Sequence, residues 1–194
     1  VVARSDPSAL KHKGLTYFFL DMKSPGVEAK PIKQISGSAN FNEVFFNDVR
    51  IPDSQRLGAE GDGWKVALTT LMNERLAVGD PPGLDFDQIF EATKEIEVED
   101  GLAIKNSEVR QKMADWYVQS RGLQYTKYRS MTALSKGQTP GPELSISKLV
   151  TASKMQEVSS YALDLMDMAG YVHHEKNPVM RNLFQNGYFF SAAM

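Results

Sequence analysis

Glu74 and Arg75 stand side by side near the end of the run Gly63-Trp64-Lys65-Val66-Ala67-Leu68-Thr69-Thr70-Leu71-Met72-Asn73-Glu74-Arg75-Leu76-Ala77-Val78-Gly79. A helical wheel of about 100° per residue puts Trp64, Ala67, Leu68, Leu71 and Val78 on one stripe. Arg75 falls in the middle of that stripe, between Leu68 and Leu71. Glu74 falls at its edge, beside Ala67 and Val78. A guanidinium pointing into an apolar face is costly unless a negative group meets it there. A carboxylate at the rim of the same face feels both desolvation and positive charge, the conditions that prepare a general base. A local structural ion pair, or an arginine that snorkels its head to water, accounts for the same spacing.

Other constellations carry less. Gly58-x-x-Gly61-x-Gly63 has the reverse of the dinucleotide-fingerprint spacing and reads as a flexible entry to a helix. No phosphate-binding P-loop and no His-Glu-x-x-His motif is present. His173 and His174 are adjacent rather than four apart, so they read as loop histidines, and no metal site is expected. With His12, His173 and His174 as the chain's histidines, a serine triad has few candidate bases. Asp164 and Asp167 sit near a helix end, where the dipole disfavours carboxylates; they hint at a partner or are solvated surface residues. Glu74 with Arg75 is the pair to test first.

The elements that must position this pair are legible as strands followed by helices. Leu15 to Leu20 is an aromatic-rich strand candidate. Pro25-Gly26 is suited to a type II turn. Further strands are expected over 30–35 and 40–49, and Pro52-Asp53-Ser54 closes the β part. Asp62 is a candidate N-cap for a helix running to about Gly79, interrupted by Asp80-Pro81-Pro82-Gly83. A short helix is expected from Phe86 to Glu97. A long one follows from Asn106-Ser107 to about Lys136, with Gly137 as its stop. Val109, Met113, Trp116 and Ser120 repeat along it at helical spacing, then Tyr128, Met131 and Ser135. Ser145 or Ser147 opens a helix with a Met155, Val158, Ala162, Leu165, Ala169 stripe, ended by Gly170. A last helix is expected from Pro178 to about Ala193. Strands first and long helices afterwards make an α+β chain with segregated parts.

Composition bounds the function classes. The 194 residues are 42% hydrophobic, enough for a substantial core, and the net charge is −2. That balance makes no electrostatic case for nucleic acid or an anionic membrane. Cysteine is absent, which excludes disulfides, zinc–thiolate sites and cysteine nucleophiles and is compatible with the expected cytoplasmic location. No apolar run approaches the roughly 20 residues that span a bilayer. The first residues, Val1-Val2-Ala3-Arg4-Ser5-Asp6-Pro7, show no signal-peptide pattern. Few strands and apparent structure at both ends imply that partner structure comes from elsewhere.

Four blocks, in order and spacing, closely resemble the acyl-CoA dehydrogenase family: Ala3-Arg4-Ser5-Asp6-Pro7; Pro25-Gly26-Val27-Glu28; Phe41-Asn42-Glu43-Val44-Phe45-Phe46-Asn47-Asp48-Val49-Arg50-Ile51-Pro52; and Leu57-Gly58-x-x-Gly61-x-Gly63-Trp64. The resemblance runs from residue 1 to about 172 and is dense to Gly79. It looks nearest to bacterial members, including those acting on bulky or steroid-derived acyl groups. It implies an α+β chain. Residues 1–58 would be the C-terminal half of the middle β-domain, a partial β-barrel or sheet. Residues 59–194 would be a truncated C-terminal helical domain, antiparallel and four-helix-bundle-like. The early β-domain segments that cradle the flavin ring in the family are not among these residues.

The resemblance also implies chemistry. The family binds FAD, removes the α-proton of an acyl-CoA thioester with a glutamate, and passes the β-hydrogen as hydride to flavin N5. An electron-transfer flavoprotein usually reoxidises it, and the enzymes are commonly tetramers. In the family the glutamate occurs in one of two places: late, just before a Gly-Thr, or on the first helix of the last domain, immediately before an arginine. Glu74-Arg75 matches that second placement, with Glu74 as base and Arg75 lining the substrate site. Two departures stand out. The family's Arg-x-x-Phe-Gly segment has no counterpart between Asp80 and Ser107. Its Gln-Ile-x-Gly-Gly segment is replaced by Asp164-Leu165-Met166-Asp167-Met168, so no cofactor-binding residue is assigned. A non-catalytic assembly subunit or fragment of such a dehydrogenase, and an acyl-CoA oxidase, are the alternatives. A homo- or hetero-tetramer is expected.

Overall fold

The structure, a computed structural model, describes residues 1–77, 84–138, 141–172 and 180–192. The chain is α+β, as the order of patterns implies. It folds as two compact units, Val1–Leu76 and Ala77–Met194.

In the first unit, β1 (Val2–Arg4), β2 (Leu15–Phe18) and β5 (Arg56–Leu57) form an antiparallel sheet in the order β1-β2-β5. β3 (Val27–Ile32) and β4 (Phe41–Phe46) form a separate hairpin, pairing Val27 with Phe46 through to Ile32 with Phe41. The strand expected over 30–35 thus starts three residues early. The Pro25-Gly26 turn is tight: Val27 N–H donates to the Ser24 carbonyl at 3.1 Å and Gly26 takes φ +89°. The ladder therefore begins at once, with Asn47 N–H donating to the Gly26 carbonyl at 2.9 Å. It ends at Ile32 because Gln34 N–H turns back onto the Ser38 carbonyl. Among the described residues the strands form three small antiparallel sheets and no closed barrel. Phe41, Phe45 and Phe46 stay exposed on the hairpin.

Helix α1 (Gly63–Ala77) belongs to this unit. The second unit holds α2 (Phe86–Thr93), the hairpin β6 (Glu97–Val98) and β7 (Gly101–Leu102), α3 (Ser107–Ser135), α4 (Glu143–Leu165) and α5 (Met180–Ser191). The helix expected to reach Glu97 stops at Thr93, and the residues beyond it turn into the β6–β7 hairpin. Glu99-Asp100 supplies the turn, and Gly101 opens β7 at φ +110°, a positive φ that glycine adopts without strain. Asn106 caps α3 as expected, its side chain accepting from the Glu108 and Val109 N–H groups. α4 opens at Glu143, a little before the expected serines.

The core sits in this helical unit. Val109, Met113 and Trp116 of α3 and Met155, Val158 and Ala162 of α4 are buried together with Ile89 and Phe184. The α3 and α4 residues among these are positions that helical spacing picks out. Lys112 meets Glu157 at 3.0 Å and the Trp116 and Tyr161 rings lie 5.3 Å apart edge to face, so these stretches of α3 and α4 pack directly on each other. The later part of the α3 repeat behaves differently: Tyr128 and Met131 are both 54% exposed.

Candidate functional site

The glycines before α1 tie the helix to the sheet rather than act as a flexible entry. A Cβ at Gly63 would stand 2.7 Å from the Leu15 carbonyl and the Thr16 backbone, so only glycine allows this approach. Gly61 N–H donates to Thr16 Oγ1 at 3.1 Å, and Thr16 shares a 2.6 Å hydroxyl bond with Ser5. Val66 N–H donates to the Asp62 carbonyl at 3.0 Å, which places Asp62 at the helix start. The His12 ring stacks on Trp64 at 5.6 Å.

Along α1 the uncharged polar side chains are satisfied by the helix itself. Thr69 and Thr70 hydroxyls donate to the Lys65 and Val66 carbonyls, each at 3.1 Å, and the Asn73 amide donates to the Thr69 carbonyl at 2.9 Å. On the other side lies the expected stripe, with Trp64, Leu68 and Leu71 exposed at 45%, 44% and 48%. Glu74 stands in the last turn and is exposed. The backbone of Arg75 continues α1, but its side chain lies outside the described residues. Over the described side chains the helix therefore presents an exposed apolar face of Trp64, Leu68 and Leu71, with the Glu74 carboxylate in its last turn. Val78 of the stripe, the Asp80–Gly83 interruption, His173, His174 and Pro178 lie outside the described residues. Asp164 and Asp167 are exposed, and Asp167, at φ +49°, opens the short 3-10 turn after α4.

A second polar cluster, in the helical unit, escaped the sequence reading. Asp85 caps α2: its Oδ1 accepts from the Phe86 N–H at 2.7 Å, and its own N–H donates to Gln88 Oε1 at 2.8 Å. The same carboxylate accepts from Lys154 Nζ at 2.6 Å and from Ser120 Oγ at 2.9 Å. One side chain thus joins α2, α3 and α4. Burial raises the Asp85 carboxyl, but the Lys154 ammonium, the Phe86 N–H and the Ser120 hydroxyl outweigh it. The result lies below the ordinary aspartate range. Lys154 is 4% exposed. Two signals could have found this cluster. Asp85-x-x-Gln88 is a capping-box spacing, and Lys154 interrupts the buried run of Thr151, Met155 and Val158. The cluster borders a cleft of about 430 Å³ between α2, α3 and α4.

Residues 61–186 match the family profile "Acyl-CoA dehydrogenase, C-terminal domain". The chain belongs to the acyl-CoA dehydrogenase family. It is 33% identical over 175 residues to acyl-CoA dehydrogenase FadE34 of Mycobacterium tuberculosis, a match covering 89% of this chain and 24% of that protein. It is also 33% identical over 174 residues to acyl-CoA dehydrogenase IpdE1 of Mycolicibacterium smegmatis, covering 88% of this chain and 42% of the relative. The chain thus spans less than half the length of these curated relatives. Among solved structures, the Tcur3481–Tcur3483 steroid ACAD superposes with a TM-score of 0.80 at 20% identity, over 100% of this chain and 50% of that one. At that identity the likeness is one of fold. The matched family domain starts just before α1 and ends within α5, so it takes in Glu74 and Arg75 together with most of the helical unit.

Proposed function

We propose that this chain supplies the catalytic-base half of an FAD-dependent acyl-CoA dehydrogenase. Glu74 takes the α-proton of the thioester, and Arg75 positions the substrate beside it. The observation that carries this reading is the position of Glu74 in the matched family domain, in the last turn of a helix with an exposed apolar face of Trp64, Leu68 and Leu71. An α-proton next to a thioester is weakly acidic, so its base must be close and partly desolvated. Covering the Trp64, Leu68 and Leu71 face would provide that environment. In the same reading residues 1–58 are the C-terminal half of a middle β-domain and 59–194 an antiparallel four-helix-bundle-like domain.

The described residues fit FAD only as one wall. They offer an exposed apolar helix face and exposed aromatic strands, while Glu74 itself is uncovered. Bound flavin would serve as acceptor of the β-hydrogen. The chain's own contribution is the base and the surface against which substrate is held. Electron-transfer flavoprotein as the oxidant and a homo- or hetero-tetramer belong to the same proposal. The two-component naming of the Tcur3481–Tcur3483 steroid ACAD supports the hetero-oligomeric form and a bulky acyl group.

The test is Glu74→Gln in the flavin-loaded assembly. Loss of a positioned general base lowers turnover by about 10²- to 10⁴-fold, while the flavin spectrum stays as in the parent. Dehydrogenation at the parent rate would remove Glu74 from the role. The exposure of Glu74 favours one second reading, a non-catalytic assembly subunit. Its signature is an absence of flavin absorbance with or without a co-expressed partner. Peroxide production under oxygen would instead mark an oxidase.

A further inference from the structure

Helix α1 is held at its first turn and free beyond it. Gly63 is buried, Val66 and Ala67 are half-buried, and every residue from Leu68 to Glu74 is exposed. The direction of the helix is therefore set where its root meets the sheet. Gly63 lies against the Leu15 and Thr16 backbone, where a Cβ would stand at 2.7 Å. Thr16 Oγ1 accepts from the Gly61 N–H at 3.1 Å. Among the described residues this is the one hydrogen bond that ties residues 58–77 to β1, β2 and β5. The His12–Trp64 stack adds a contact between exposed side chains. Thr16 itself is 1% exposed, so water does not compete for its hydroxyl. The 2.6 Å bond with Ser5 Oγ fixes that hydroxyl in turn. A threonine hydroxyl carries one donor and two acceptor lone pairs, so both bonds form together.

We propose that Thr16 is a positioning residue for the proton transfer assigned to Glu74. Its hydroxyl fixes the angle at which α1 leaves the sheet, and with it the place of the carboxylate. This rests on the reading of Glu74 as the base. The helix acts as a lever: from Gly63 to Glu74 it rises about 16 Å, at about 1.5 Å per residue. A tilt of about 4° at the root then moves the carboxylate by about 1 Å. A displacement of that size from productive geometry costs up to about a hundredfold in rate. Valine at position 16 keeps the shape of threonine and removes the acceptor. The Gly61 N–H then loses its partner while Gly63 still fits against the strand. Serine keeps the Oγ.

The test has two arms. In the full chain without flavin, amide hydrogen exchange at Gly61 should be about tenfold faster in Thr16→Val than in the parent, and near the parent rate in Thr16→Ser. The second arm uses the flavin-loaded assembly and an acyl-CoA that the parent turns over. There Thr16→Val should lower kcat by about ten- to hundredfold with KM within about twofold, and Thr16→Ser should restore most of the loss. In the Glu74→Gln background Thr16→Val should bring no further loss, because a positioning residue acts through the base it positions. Ser5→Ala, at an exposed residue, should move exchange and kcat in the same direction by about threefold, and it decides the matter if Thr16→Val does not fold. Unchanged exchange at Gly61, a parent-like kcat, or a further full loss in the Glu74→Gln background each overturn the proposal. Glu74→Gln at the parent rate overturns it together with the base assignment. A parent-like Thr16→Val beside an inactive Glu74→Gln overturns the positioning role alone.

Discussion

Replacing Asp85 by alanine removes two supports at once, and their sizes follow from the geometry. Loss of the α2 cap costs about 1 kcal/mol. Loss of the partner of a buried ammonium costs about 3–5 kcal/mol when both ions are buried. Here the Lys154 side chain is 3% exposed but that of Asp85 is 54% exposed, so water screens part of the pair. About 2–3 kcal/mol is the appropriate range, and Asp85→Ala should cost about 3–4 kcal/mol in all. Lys154→Met leaves a carboxylate that water can reach, and methionine fills the same space, so it should cost about 1 kcal/mol. The double variant should then be less destabilised than the two singles combined, by a coupling of about 2 kcal/mol. The assay is urea unfolding followed by tryptophan fluorescence. The chain has two tryptophans, Trp64 on the first unit and Trp116 at 1% exposure in the helical core. In a Trp64→Phe background the signal reports the helical unit alone, which matters because two units need not unfold together. A coupling under about 0.5 kcal/mol would show that the pair is incidental. The pH dependence follows from the lowered Asp85 carboxyl. Its stabilisation is complete above the ordinary value of 3.8 and is lost as pH falls below that, through the folded value. Asp85→Ala should therefore flatten the acid limb of stability.

Three further outcomes are expected. Gly187→Ala puts a Cβ into Leu84 Cδ1 and the buried Ser159 hydroxyl, so it should destabilise the α4–α5 packing by about 1–3 kcal/mol in the same assay. A neutral effect would mean that α5 can shift freely on α4. Gly26→Ala meets both a positive φ of +89° and the Asn47 carbonyl, and should cost more than about 1 kcal/mol. Loss of protection at the Asn47 amide in hydrogen exchange reports it, and unchanged protection argues against the turn geometry. Glu74→Gln should cost turnover while leaving the thermal unfolding of the chain within about 0.5 kcal/mol of the parent, because the residue is exposed.

Local patterns were legible because they depend on near neighbours in the chain. Val109, Met113 and Trp116, and then Met155, Val158 and Ala162, repeat at helical spacing and are buried. Asn106 and Gly137 mark the two ends of α3 for reasons of hydrogen bonding and φ. The β6–β7 hairpin was missed because its strands are two residues each, too short to show a period-two pattern. The described part of the α1 stripe, Trp64, Leu68 and Leu71, shares one exposed face, so burial is not a property of the stripe. Periodicity reports which residues share a face and is silent on what covers that face.

The sequence alone determined the family, through ordered blocks such as Phe41–Pro52 and the glycine entry, and the choice of Glu74-Arg75 as the pair to test. These depend only on identity and spacing along the chain. Tertiary structure decided the rest. It showed Gly63 as a close approach to β2 rather than a hinge. It left Glu74 on an exposed helix end and brought Asp85, Ser120 and Lys154 together from three helices. The physical reason is range. Helical faces and turns are set by torsions and neighbours a few residues away, whereas the partner of a buried ammonium 69 residues distant is set only when the helices pack.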